Sequence, residues 1–357
     1  MKKEISLFVL VSIFIFSSVL HAGTTEEMFR SLKGLSPKER EAKLVTEAKK
    51  EGTITWYSTT NNKVLQKFVD GFNKKYPGIE VLWVRGKSHL MVNRMSVESN
   101  AGKHLADITN SGASGTVHLV KRGLLIPVES PVRDAYDQEF KDKEGYWVNM
   151  SIFLCPFAYN TELVKAEEAP KSFADLLDPK WKGKMTLDTR PNRFIPSLLQ
   201  EWGEERAMTY FKKLAAQEPV LVRGHTAAAQ LLAAGQFHIL IEPFVYSTLS
   251  LKHKGAPVDI VWQKEFVPGS HGAPLGLLKN APHPYGALLL YEFLLSEKGQ
   301  QVYIDVGRTP TRRGLKPKFP ELIDINKRVR LSLIKPGAAE AHLKRVSGIM
   351  KKIFLRK

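Results

Sequence analysis

The feature that most constrains the fold is an alternation of short β-rich runs with amphipathic helical patterns along the chain. TITWYS (53–58) is a strand pattern, and 64–76 carries apolar residues three and four positions apart, the spacing of one helix face. A strand pattern at 79–84, a helical pattern at 90–101 and a third strand pattern at 106–110 follow. This order predicts βαβ units, in which parallel strands are covered by helices on both faces of the sheet.

The middle of the chain continues the alternation. We predict strands in 147–160, 237–242, 255–262 and 273–279, with helical patterns in the intervening sequence. The predicted fold class is therefore α/β, with two lobes that are each a mostly parallel sheet flanked by helices.

The N-terminus predicts export. Lys2 and Lys3 precede a 14-residue apolar run from Leu7 to Leu20, and Ala22 is a small residue at a plausible cleavage point. Because a transmembrane helix needs ~20 residues, we predict a signal peptide over 1–22 and a periplasmic mature chain, with an uncleaved membrane anchor as the alternative. No cysteine lies directly after the run, where a lipoprotein would carry its lipid, so a lipoprotein anchor is excluded.

The net charge of +17 raises the question of a polyanionic partner. Export disfavours nucleic acid, which leaves small anionic solutes or an anionic membrane surface. The segment 327–357 holds ten Lys or Arg residues against one acidic residue. We therefore predict that 316–357 forms basic helices that pack on a lobe with their lysines in water, and lipid attraction is the secondary alternative.

Motifs of catalysis are missing from the sequence. Cys155 is the only cysteine and lies in an apolar strand pattern, which predicts a buried structural thiol. The chain contains no Gly-x-Ser-x-Gly elbow and no His-Glu-x-x-His helix, and SGASG (111–115) lacks the lysine of a phosphate-binding loop. We predict a protein that is not an enzyme and needs no cofactor or metal.

Hydroxyl residues, glycines and cations follow several predicted strands, where open α/β sheets bind ligands. Such groups suit a small anion, because helix N-termini and arginines offer N–H donors and positive charge. Capping of the helices and ordinary surface placement of the arginines are the alternatives. The candidate ligand-binding residues are Ser58, Thr59, Thr60, Arg85, Ser111, Gly112, Arg190, Arg193, Arg223, His225, Glu242 and Tyr246.

The order of several longer stretches resembles one family. They are EAKKEGTITWYSTT (47–60), FVDGFNKKYPGIEV (68–81), AGKHLADIT (101–109), PKSFADLLDPKWKGKM (170–185), LLAAGQFHILI (231–241), KGAPVDIVW (254–262), LLKNAPHPYGALLLYEFLLSEKGQQVY (277–303) and GRTPTRRGL (307–315). The chain is similar here to the periplasmic solute-binding proteins of ABC importers, in the group of ferric-iron, phosphonate and polyamine binders with the type 2 fold.

The resemblance implies two lobes joined by hinge strands near 151–158 and 272–276. The first lobe would comprise 23–152 with about 276–315, and the second lobe 153–275. The family also implies capture of a small solute for an inner-membrane permease, and we expect a monomer.

The iron binders of this group hold ferric ion through a histidine, a glutamate and two adjacent tyrosines. These places fall on Asn61, Gly112, Val245 and Tyr246, of which only Tyr246 matches. Since ferric ion needs several anionic oxygen ligands, the departure favours an organic or phosphorus oxyanion of the carboxylate or phosphonate type.

Three alternatives remain at this stage. The first is ferric ion held by a different set, such as Tyr246, Glu242, His225 or His271 with an exogenous anion. The others are an exported α/β enzyme and a protein that presents its ligand to a membrane sensor.

Overall fold

The computed structural model describes residues 24–334 and 339–355. The predicted signal peptide, 1–22, lies outside these residues. Within the described part of the chain, no helix is long and apolar enough to cross a membrane.

The described residues form helices and strands in an α/β order. The helices are α1 Thr25–Leu32, α2 Pro37–Glu51, α3 Asn62–Lys75, α4 Ser88–Asn100, α5 Ala113–Lys121, α6 Phe194–Trp202, α7 Glu204–Ala216, α8 His225–Ala233, α9 Val245–Lys252, α10 Pro284–Leu295, α11 Glu297–Asp305, α12 Ile325–Arg328 and α13 Ala339–Ile349. The strands are β1 Thr53–Ser58, β2 Glu80–Arg85, β3 Ile108–Asn110, β4 Leu125–Ile126, β5 Val148–Asn149, β6 Ser151–Leu154, β7 Phe157–Asn160, β8 Met185–Asp188, β9 Val220–Val222, β10 Ile239–Leu240, β11 Val258–Val261, β12 Val267–His271, β13 Pro274–Leu278, β14 Thr309–Pro310 and β15 Leu331–Ile334.

The first lobe is built on a sheet of order β2-β1-β3-β13-β4, with β5 also paired to β13. β1 runs parallel to β2 and β3, which confirms the predicted βαβ arrangement. β13 is antiparallel to β3 and β4, because it enters this sheet from a distant part of the chain instead of through a βαβ crossover. Trp56, Phe68 and Phe72 are fully buried beside this sheet.

The second lobe has the strand order β11-β7-β10-β8-β9. β10, β8 and β9 are parallel, whereas β7 runs antiparallel to both of its neighbours. The core of this lobe is aromatic. The Phe173 ring lies within 6.4 Å, centroid to centroid, of the rings of Phe157, Phe194, Trp202, Tyr210 and Phe266.

A third sheet, of order β14-β6-β12-β15, lies between the lobes. The sequence pattern predicts one strand in 147–160, but in the structure this segment forms three strands, β5, β6 and β7. The chain leaves the third sheet at Cys155-Pro156, since proline has no N–H to offer a strand partner. Where β12 leads into β13, a Cβ on Gly272 would lie 2.8 Å from the carbonyl oxygen of Ser151, so the two crossing strands need glycine here.

The C-terminal segment joins the second lobe and the third sheet. β15 pairs in parallel with β12, although the sequence pattern favoured helix in this region. Its alternating burial, with Ser332 and Ile334 inside, is that of a half-buried strand. On α13 and the π-helical turn after it, Val346, Ile349 and Met350 are buried in the core of the second lobe.

Candidate functional site

A cavity of about 290 Å³ lies between the two lobes and against the third sheet. Its walls come from the N-terminal ends of α4, α5 and α6, from β6 and β12, and from the C-terminal segment. The lining residues are Ser88, Gly112, Ala113, Ser114, Phe153, Asn192, Arg193, Pro196, Ser270, His271, Gly272, Ile334 and Val346. None of these residues is acidic, so the described lining offers donors and positive charge.

Two helix N-termini of the first lobe face this cavity. α4 begins at Ser88 and α5 at Ala113, and among the described side chains none caps either helix. The first-turn N–H groups of a helix have no partners within the helix, and the helix dipole places partial positive charge there. The N-cap of α5 is Gly112 with φ +76°, a left-handed conformation that glycine adopts readily. The two helix ends therefore provide anion-binding backbone donors.

Arg193 provides the cation of the second lobe in this cavity. Its Nε donates to Ser270 Oγ at 2.9 Å, and its guanidinium carbon lies 4.6 Å from the ring centroid of Phe244 and 5.1 Å from that of Phe153. With 17% of its side chain exposed, Arg193 is held in one place while still accessible to a solute. This is the arrangement expected of a guanidinium that pairs with a carboxylate or phosphate.

Glu242 lies behind Arg193 and is fully buried. Its Oε1 accepts from the backbone N–H of Arg193 and its Oε2 from the backbone N–H of Phe194, both at 3.2 Å. The guanidinium Nη1 of Arg193 lies 3.8 Å from Oε1. Burial raises the pKa of Glu242 to about 8, against the lowering effects of Arg193 and the Phe194 N–H. At neutral pH Glu242 is therefore mostly protonated, which leaves the charge of Arg193 largely uncompensated.

Aromatic rings form the wall next to Arg193. Phe153 stacks on Phe244 with centroids 4.8 Å apart, and Tyr246 stacks on Phe244 at 5.5 Å. The guanidinium carbon of Arg308, from the first lobe, lies 5.3 Å from the Phe153 centroid and 5.9 Å from that of Tyr246. Two arginines from different lobes thus meet at one aromatic stack.

The two histidines near the cavity are neutral at pH 7. Burial lowers the pKa of His225 to about 4, and its Nδ1 lies 2.9 Å from the Glu242 carbonyl oxygen. Burial likewise lowers the pKa of His271 to about 4. His271 is 8% exposed and lines the cavity. The His271 ring therefore adds no charge to the cavity wall, and its Nδ1 is a buried polar atom without a partner among the described residues.

Several predicted residues hold the turn between β1 and α3 together instead of lining the cavity. Ser58 Oγ accepts from Thr60 N–H at 3.0 Å, and Thr60 Oγ1 accepts from the Asn110 amide at 2.9 Å. Thr59 donates to the Asn110 carbonyl oxygen, and the Ser111 hydroxyl pairs with that of Thr109. The structure thus brings Gly112 and Arg193 to the cavity wall. Glu242 and His225 lie behind Arg193, and Tyr246 lies on the adjoining aromatic stack.

Three predicted arginines, Arg85, Arg190 and Arg223, are exposed and lie outside the lining of this cavity. The Arg190 backbone N–H donates to Asp188 at 2.7 Å, which forms the turn after β8. Exposed arginines in high dielectric bind a solute weakly compared with a partly buried one.

Candidate metal ligands are not gathered at one point. Among the described residues, no group of three or more His, Cys, Asp or Glu side chains could hold a metal ion. Asn61 caps α3 by accepting from Lys63 N–H, and Val245 is buried. Tyr246 is the single phenol of the sequence-based iron set, and it stacks on Phe244.

The candidate residues taken from the sequence omit several residues of the cavity lining, namely Ser88, Ser114, Phe153, Asn192, Ser270 and, for an anion, His271. They also omit Arg308, which lies at the adjoining aromatic stack and not in the lining. Ser88 and Ser114 lie in the first turns of α4 and α5, so a search for small residues in the first turns after strands would find them. Phe153 and Ser270 lie within strand patterns, where no sequence signal separates a cavity wall from a core.

The comparisons with known proteins agree with this architecture. The family profile described as "Bacterial extracellular solute-binding protein" matches residues 105–331. Iron uptake protein A1 of Synechocystis sp. is 25% identical over 260 residues, which cover 68% of this chain and 69% of that protein.

Two solved structures have similar folds. AfuA from Actinobacillus pleuropneumoniae, with exogenous fructose-6-phosphate bound, has a TM-score of 0.69 and 26% identity, covering 85% of this chain and 99% of that one. Iron-bound HitA from Pseudomonas aeruginosa has a TM-score of 0.71 and 20% identity, covering 82% of this chain and 99% of that one.

Proposed function

Because the chain belongs to the bacterial extracellular solute-binding proteins, we propose that it captures a small anionic solute in the cavity between its lobes. The solute is of the phosphate, phosphonate or carboxylate class. Affinity and closure of the lobes about the third sheet are the whole mechanism, and no bond is made or broken.

The observation that carries this proposal is the coincidence of Arg193 with the uncapped N-termini of α4 and α5. Arg193 comes from the second lobe and the two helix ends from the first, so an anion between them is held from both sides. The described lining has no carboxylate to repel it. AfuA, with its bound sugar phosphate, supports the phosphate class.

The direct test is isothermal titration calorimetry on protein unfolded and refolded to remove bound solute. The panel contains inorganic phosphate, methylphosphonate, fructose 6-phosphate, succinate, citrate and ferric citrate. We expect saturable binding of at least one phosphate, phosphonate or carboxylate without iron. Binding of ferric citrate alone would contradict the anion proposal.

Ferric ion is the second candidate. Iron uptake protein A1 and iron-bound HitA support this cargo through their names, and by name the relatives favour it over an anionic solute. Two observations argue against ferric ion. Among the described residues, no three His, Cys, Asp or Glu side chains are grouped where they could hold a metal ion, and Glu242 is fully buried. We take the anionic solute as the first candidate on the chemistry of the cavity lining, and ferric ion as the second.

Glu242→Gln separates the two candidates. Glutamine resembles the protonated carboxyl, so we expect anion affinity at pH 7 to stay within about threefold of wild type. In wild type the affinity should fall by up to tenfold per pH unit above pH 8, as the pKa of Glu242, about 8, is passed and a negative charge develops behind Arg193. The anion affinity of Glu242→Gln should not decline in this way above pH 8.

Other groups facing Glu242 do not produce this pH profile. The pKa of His225 is lowered to about 4 and that of the Cys155 thiol is raised well above its usual value, both chiefly by burial, so neither titrates near pH 8. A ferric ion held by Glu242 gives the opposite result, since the variant would lose iron affinity at every pH. Calorimetry at pH 7.0, 8.0 and 9.0 measures both outcomes.

Export through the predicted signal peptide, action as a monomer and delivery to an inner-membrane ABC permease belong to the same proposal. The description of the family as extracellular solute-binding proteins supports export and solute delivery, whereas the monomeric state stays a prediction. Since that family is one of solute-binding proteins, it also supports the expectation that the chain is not an enzyme.

A further inference from the structure

A second cavity, of about 310 Å³, adjoins the first and shares Ser88 and Ser114 with it. α4 and α5 form two of its walls, and α13 contributes the third through Lys344. Its polar lining includes His89, Asn93, His118, Arg122 and Lys344, and none of the described lining residues is acidic. Each cavity alone is near the lower end of the usual volume of ligand pockets.

The position of Lys344 follows from the anchoring of the C-terminal helix. Val346 and Ile349 are buried in the core of the second lobe, and Arg345 forms an ion pair with Glu204 of α7. The same helix contacts α5 of the first lobe. Val346 therefore lines the first cavity while Lys344, two residues earlier, lines the second.

The helix lies beyond the end of the family match, at residue 331. Of the three helices around the second cavity, only α5 lies within the matched region. α4 precedes the match, and α13, which carries Lys344, follows it. α5 carries Arg122 at its C-terminal end, so Arg122 and Lys344 place two cations on facing helices.

We propose that the solute carries two anionic groups, one held by Arg193 and the helix ends in the first cavity and the other by Arg122 and Lys344 in the second. This inference rests on the proposed anion capture and deepens it. Ser88 and Ser114 line both cavities, so a solute that extends from one cavity to the other passes two hydroxyl side chains, which suits a polar spacer such as that of a sugar bisphosphate. Arg122 and Lys344 are both exposed, so water screens each contact, and we expect each to change the affinity by roughly threefold.

The test compares fructose 6-phosphate with fructose 1,6-bisphosphate by calorimetry at pH 7. Because Arg122 and Lys344 are exposed, we expect wild type to bind the bisphosphate about fivefold to tenfold more tightly. Lys344→Gln and Arg122→Gln should each weaken bisphosphate binding by about threefold and leave monophosphate binding unchanged. Lys351→Gln is the matched control, because Lys351 is exposed on the same C-terminal segment and lines neither cavity.

The outcomes separate the inference from the function beneath it. Equal affinities for the two sugars, with no effect of Lys344→Gln or Arg122→Gln, would overturn the two-group solute and leave anion capture standing. An equal loss in Lys351→Gln would assign the effect to general charge and also overturn it. Absence of binding for both sugars would contradict the phosphate class together with the inference.

Discussion

Arg193→Met is expected to weaken binding of the anionic solute by about 10- to 100-fold, because a charge-assisted contact in a partly buried site is lost. Methionine retains apolar packing on Phe153 and Phe244, so the loss falls mainly on the charge. Glu242 stays buried beside the replaced side chain and, without the guanidinium, its protonated form is favoured further. Calorimetry with the tightest-binding anion of the panel measures the effect.

Arg190→Met and Arg223→Met are the matched controls. Arg190 lies three residues before Arg193, and Arg223 lies in the turn before α8. Both are exposed and lie outside the cavity lining. Each should change affinity by less than about threefold, since exposed charge pairs contribute little. A loss in either control equal to that of Arg193→Met would mean that overall charge attracts the solute and that Arg193 has no special position.

Phe173→Ala is expected to lower the free energy of unfolding by about 3–5 kcal/mol, because it opens a cavity in the aromatic core of the second lobe. The ring is fully buried and lies 4.8 Å from Phe266 and 6.0 Å from Phe194, centroid to centroid. Phe194 is the first residue of α6, directly after Arg193. Loss of this packing should therefore also weaken solute binding, although Phe173 does not line the cavity.

Urea denaturation followed by circular dichroism measures the first effect. Phe173→Leu keeps much of the volume and should cost less than half as much. Leu163→Ala is the surface control, since Leu163 is 43% exposed and its truncation should cost less than about 1 kcal/mol. If alanine and leucine at position 173 were equally destabilising, tight packing of the ring would not be the cause.

The parallel strands of the first lobe could be predicted from the sequence, because its helices and strands alternate at short range. Periodicity locates β1, α3 and β2, and the crossover through α3 makes the two strands parallel. β13 was located as a strand, but its antiparallel direction comes from a chain that returns from the second lobe. Local patterns carry no information on such a return.

The site was harder to predict, since residue type does not encode exposure. Arg190, Arg193 and Arg223 looked alike as arginines after strands, and only packing on Phe153 and Phe244 distinguishes Arg193. Ser58 and Thr60 have the composition of an anion-binding turn but satisfy each other and Asn110. Capping and ligand binding use the same side chains, so sequence alone leaves both open.

The placement of β13 between β3 and β4 has a consequence for the order in which the molecule is built. The first sheet lacks an inner strand until residue 278 has been synthesised, by which point the sheet strands of the second lobe have already emerged. The core of the second lobe in turn lacks Val346, Ile349 and Met350 until nearly the end of the chain. Neither lobe can therefore complete its core before these residues have been synthesised, and a late-folding chain suits the export that we propose.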